Sequence, residues 1–279
     1  MRYRSTLRTI ALVLTVLALS VPGAVHAKKK KKEQDNYASA YDIYKQGMRE
    51  IQQDDLRQAQ AMLEKITYAP DNREELEPLV RLRMADATFY QSYGVALIDA
   101  RSLYLDFVAL YGNHPAAPYA QLQAGVCSLG QVVHPSRDQS QTNQAIADLR
   151  VVGQRWPNSM FVNAARTMIR QAEHNLAEHS FTVGKFYMKR KAPMAAIQRF
   201  QEILDRFPDW RDREKLYYYL GQAQLRAGND VEARIYLDKL VTDFPHGQFR
   251  KGAMKALNKA GGPLEDLDMT GSTVPGSSE

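Results

Sequence analysis

The densest group of chemically capable side chains in this 279-residue sequence is the stretch "HPSRDQSQT", from His134 to Thr142. A hydrolase needs a nucleophile, a base and an orienting group held around a pocket by rigid neighbours. His134, Ser136 and Asp138 lie too close in sequence to converge in that way, and Pro135 restricts the backbone at His134. The lone cysteine, Cys127, sits in "AQLQAGVCSLGQVV", among small and apolar neighbours that suit a buried structural thiol rather than a nucleophile. His174 and His179 are five residues apart and do not share a helix face well, which makes them surface histidines rather than a metal pair. No catalytic, metal or cofactor residue is assigned, so the elements around the loop must explain it.

The N-terminus has a basic lead (Arg2, Arg4, Arg8), the twelve-residue apolar run "IALVLTVLALSV" and then "PGAVHA", with Val25 and Ala27 spaced for cleavage. That pattern predicts a secretory signal peptide over residues 1–27. The run is short of the roughly 20 apolar residues of a spanning helix. Lys28 to Lys32 form a basic tether to residue 36, and residues 33–279 hold 29 basic against 31 acidic side chains. A near-neutral exported body argues against nucleic-acid binding. One cysteine cannot form an intramolecular disulfide, so the fold must rest on its core. From Gly261 onward, "GGPLEDLDMTGSTVPGSSE" has too little apolar content to pack and is expected to be a disordered tail over 261–279.

Residues 37–260 carry an internal repeat. Ala59, Ala100, Ala145, Ala196 and Ala233 are each followed at the fourth residue by Leu63, Tyr104, Leu149, Phe200 and Leu237. At the seventh come Ile66, Phe107, Val152, Ile203 and Leu240. These offsets fall on one helix face. After the last four alanines an aromatic and a breaker close each unit, ending at Gly112, Pro157, Pro208 and Pro245. Gly47, Gly184 and Gly221 precede three of the alanines by twelve residues, where one helix needs a side chain small enough to be packed against. The spacing predicts an all-α solenoid of about five tetratricopeptide-like helix pairs. The first copy is the weakest, with Pro70 one residue early. Pro193 suits a first helical turn, and "NDVE" from Asn229 to Glu232 reads as a capping box.

Two departures from even spacing are informative. Between Pro157 and Ala196 lie 14 residues more than between Pro208 and Ala233, and they keep the helical period through Ala165, Met168, Ile169, Ala172, Leu176 and Val183. A single long central helix, about 40 Å at 1.5 Å per residue, is expected to brace the two halves. Gly125 and Ala145 are twenty residues apart instead of twelve, and the surplus falls on "HPSRDQSQT". The crowded stretch is thus an enlarged loop between the helices of one pair, where repeat insertions project outward.

The stretches "LYGNHPAAPYAQLQAGV", "HPSRDQSQTNQAI", "RWPNSMFVNAARTMI", "NLAEHSFTVGKFYMKR" and "AIQRFQEILDRFPD" resemble the BamD family over roughly residues 37–250. This family is the tetratricopeptide-repeat component of the outer-membrane β-barrel assembly machinery. The resemblance implies a non-enzymatic scaffold in the periplasm, at the inner face of the outer membrane. It would bind the barrel subunit's periplasmic domains and unfolded outer-membrane proteins, and no nucleic acid. Members are typically lipoproteins with a cysteine at the mature N-terminus, whereas Lys28 stands there in this chain, so membrane association is expected to be indirect or through a complex. The alternative is another exported repeat adaptor, for example one coordinating cell-envelope or division enzymes. The partner-binding candidates are Arg137, Asp138 and Gln139 of the loop, with Tyr90 and Tyr93 near a helix end, where a groove would receive an aromatic peptide terminus.

Overall fold

The computed structural model describes residues 39–66, 73–91, 95–132 and 138–262. Among these residues the secondary structure is helical throughout: α1 (Ala40–Gln52), α2 (Leu56–Lys65), α3 (Arg73–Tyr90), α4 (Val95–Leu110), α5 (Ala117–Gly130), α6 (Ser140–Arg155), α7 (Val162–Lys189), α8 (Pro193–Arg206), α9 (Arg213–Ala227), α10 (Asp230–Asp243) and α11 (Arg250–Lys259). This is the all-α tetratricopeptide architecture read from the repeat. The segment expected to be a signal peptide, the lysine run, Pro70 and the expected tail beyond Gly262 lie outside the described residues.

The repeat register is visible atom by atom. All five repeat alanines are fully buried, and so are the large residues four and seven positions after them, none more than 1 % exposed. A Cβ placed on Gly47 would come 2.9 Å from Leu63 Cδ2, on Gly125 2.6 Å from Leu149 Cγ, and on Gly221 2.5 Å from Leu237 Cγ. At Gly184 it would run into the Phe200 ring. Each glycine therefore gives up its side chain to the residue four positions after the repeat alanine. The helices close alike as well. Tyr111, Trp156, Phe207 and Phe244 each donate a backbone N–H to the residue seven after the alanine, namely Phe107, Val152, Ile203 and Leu240, at 2.8–3.1 Å. At the last three aromatics the backbone has left the helical region, with φ near −130° and ψ of 61–64°.

Pro193 opens α8, as the sequence predicts. The capping box at α10 does not form. Asn229 occupies the N-cap without a side-chain cap bond, and its Nδ2 instead donates to Gln224 Oε1 at 2.8 Å. An amide carries both donor and acceptor, and the neighbouring glutamine on α9 claims the side chain. α1 and α2 are capped by Ser39 and Asp55, whose oxygens accept from Asp42 N and Gln58 N at 3.2 Å.

The chain divides into two compact units, with the boundary after Ala172, inside α7. The long helix is 28 residues. The first unit stacks α1 to α6 and the start of α7. In the second, Phe181 of α7 packs on Phe200 of α8, Trp210 and Tyr219 of α9 at centroid distances of 5.3–5.5 Å. A further cluster there joins Tyr217, Ala233, Leu237, Leu240, Ala253 and Leu257.

Candidate partner-binding surface

Two buried polar clusters fix the helices on either side of the α5–α6 connection. In the first, Asp86 of α3 receives three bonds: Tyr104 Oη of α4 at 2.7 Å, Tyr119 Oη of α5 at 2.9 Å, and Arg83 one turn back on α3 at 2.7 Å. All four side chains are buried. Burial pulls the Arg83 guanidinium down, but Asp86 together with Tyr44 and Tyr119 holds the group above the ordinary arginine range. Burial, reinforced by the Asp86 charge, pushes both tyrosine hydroxyls well above their usual range, so they remain donors. One carboxylate thereby ties α3, α4 and α5 together.

In the second cluster Asp148 of α6 accepts a two-pronged bond from Arg101 of α4, Nε at 2.8 Å and Nη2 at 2.9 Å. Ser128 of α5 adds Oγ at 3.2 Å and Gln144 adds Nε2 at 3.1 Å. Gln121 Nε2 donates to the Asp148 carbonyl at 2.9 Å. The planar fork of arginine matches the carboxylate and fixes orientation as well as distance. Between them the two clusters set the register of α3 through α6. Neither was singled out in the sequence, although Arg83 and Asp86, three apart in the apolar stretch "LRMADATF", break the helical pattern and signal a buried pair.

The loop candidates separate. Asp138 is exposed. Gln139 is 7 % exposed and turned inward: its Oε1 accepts from Thr142 Oγ1 at 2.9 Å, and its carbonyl accepts from Asn143 N at 3.1 Å, which fastens the start of α6. His134, Ser136 and Arg137 lie outside the described residues, as does Tyr93. Tyr90, at the end of α3, is half-buried with its ring edge-on to Phe89 at 5.8 Å.

Cys127 is fully buried in α5, and burial pushes its thiol far above the ordinary range, which suits a packing role. His174 is half-buried, its ring centroid 6.4 Å from that of Trp210. Among the described residues no three acidic, histidine or cysteine side chains are grouped to hold a metal ion. None of the described helices is long and apolar enough to cross a membrane.

Three relatives resemble the chain along its repeats, each called an outer membrane protein assembly factor BamD. The protein of Caulobacter vibrioides is 33% identical over 155 residues, which is 56% of this chain and 51% of that relative. That of Rickettsia prowazekii is 25% identical over 240 residues, 85% of this chain and 91% of the relative. That of Xylella fastidiosa is 26% identical over 164 residues, 55% and 56%. The match thus spans about half the length of the Caulobacter relative and nearly all of the Rickettsia one. The sequence pattern of the YfiO family, described as outer membrane lipoprotein, matches residues 36–236, and the chain is a member of that family.

Proposed function

We propose that this chain is a non-enzymatic scaffold of outer-membrane β-barrel protein assembly. It acts at the periplasmic side of the outer membrane and binds the barrel subunit's periplasmic domains and segments of unfolded barrel proteins. The observation that supports it most is the match to assembly factors along the repeats. Stacked helix pairs offer extended surfaces to peptides and domains without active-site geometry.

Arg137 and Asp138 are the proposed contacts to the barrel subunit, and Tyr90 and Tyr93 those to an aromatic segment. The test replaces Arg137 and Asp138 by Ala and titrates the variant against the barrel subunit's periplasmic domains, beside a melting curve. Surface positions leave stability within about 0.5 kcal/mol, whereas loss of a desolvated charge pair costs on the order of 2 kcal/mol of binding or more. Unchanged binding by a folded variant would remove the loop from the interface.

A further inference from the structure

The second unit carries an edge that the scaffold role does not require. Three helix ends meet there. Arg226, in the last turn of α9, donates Nη1 to the carbonyl of Met188, in the last turn of α7, at 3.1 Å. The α7–α8 and α9–α10 turns therefore lie side by side. Arg234 of α10 donates Nε to the carbonyl of Gly262 at 2.7 Å, which brings the end of α11 to the same edge.

This edge is basic. Lys189, Arg190, Lys191 and Arg226 are all exposed there, with Asp230 and Glu232 in opposition. Lys191 holds the α7–α8 turn in the left-handed region at φ 58°. Large apolar side chains stand among the cations: Phe186 is 51% exposed, Met194 65% and Val231 59%. Arg190 lies over the Phe186 ring, 5.2 Å from its centroid. The macrodipole of α7 explains cations in its last turn. It does not explain why apolar chains are left in water between them.

We infer that this edge of the second unit seats on an anionic bilayer surface. Single apolar side chains enter the headgroup region one at a time, while lysine and arginine lay their stems along the acyl boundary and keep their charges among the phosphates. The cations would serve an acidic protein as well, so the apolar chains decide for the bilayer: set singly between charges, each can enter the headgroup region on its own. The sequence carries a second basic feature of the same sign, Lys28 to Lys32, so the two contributions must be separated.

The test uses the chain as recovered after export, with the N-terminal segment common to wild type and the two edge variants. Co-sedimentation is measured with phosphatidylcholine vesicles and with vesicles holding about one third phosphatidylglycerol. One variant combines Lys189→Gln, Arg190→Gln and Lys191→Asn; a second combines Phe186→Ser and Met194→Ser; a third replaces Lys28 to Lys32 by Gln. Binding that requires phosphatidylglycerol is expected. The first variant should bind at least about tenfold more weakly, with its melting curve kept. The second should lose the part of binding that survives added salt, and the third should retain edge-dependent binding. No vesicle binding, or edge variants that bind like wild type, would overturn the inference and leave the cations to an acidic protein.

Discussion

Gly221→Ala in α9 offers a test of the repeat register in which two opposing effects can be weighed. In a helix interior, alanine is favoured over glycine by about 0.8–1.0 kcal/mol. At Gly221 the new Cβ would stand 2.5 Å from Leu237 Cγ and 2.7 Å from its Cδ2. Cγ is the branch point, not the tip, of a fully buried side chain, so α9 and α10 must part or Leu237 must leave its rotamer. Such overpacking costs about 1–3 kcal/mol, and the closeness of the contact puts it at the upper end. The net expectation is a loss of about 1–2 kcal/mol, or several degrees in Tm at about 2–4 °C per kcal/mol for a chain of this size. Gly153→Ala in α6 is the control, because its Cβ would meet nothing nearer than Val162 Cγ1 at 4.0 Å. There the helix preference stands alone, and stability should rise by about 0.5–1 kcal/mol. Urea unfolding followed by circular dichroism measures both. A stabilised Gly221→Ala, moving in the same direction as Gly153→Ala, would refute the close approach of α9 and α10.

Other expectations concern the buried polar groups. Asp86→Ala removes the acceptor of two tyrosines and leaves the Arg83 charge uncompensated, so it should cost on the order of 3–5 kcal/mol in urea unfolding; Tyr104→Phe, which removes one hydroxyl, should cost about 1 kcal/mol. His114 accepts the Ala116 N–H through Nδ1 at 3.1 Å, and burial holds its pKa below the ordinary value. The unfolded chain therefore binds the proton first, and this contribution, present above about pH 6.5, is lost as pH falls through the folded value; wild-type Tm should drop more than that of His114→Asn between pH 7 and pH 5. Cys127 should resist maleimide in the folded protein and react fully in urea, and labelling in the native state would place it outside the core.

The parts of the fold legible in the sequence are those whose partners lie at fixed helical offsets. The alanine, the larger residues at the fourth and seventh positions and the closing aromatic belong to one helix, and the glycine belongs to the helix just before it, so a single period exposes them all. The α5–α6 insertion was legible for the same reason, as surplus between Gly125 and Ala145. The polar clusters were not. Asp148 finds Arg101 47 residues away, and nothing in the spacing of either announces the other. Gln139 shows a related limit: in a polar loop it reads as exposed, yet the first turn of α6 claims its side chain. Asn229 met the same fate at the hands of Gln224. Local patterns propose partners, and tertiary neighbours with stronger geometry take them.

The central claim, a scaffold of β-barrel assembly, is tested most directly by depleting the chain in its own cell and following folded barrel proteins in the outer membrane by their heat-modifiable migration. Folded barrels should fall as the chain is lost, before growth stops, and unfolded barrel chains should accumulate in the periplasm. Normal levels of folded barrels, with a defect confined to envelope integrity or division, would contradict it and point to an adaptor of another envelope process.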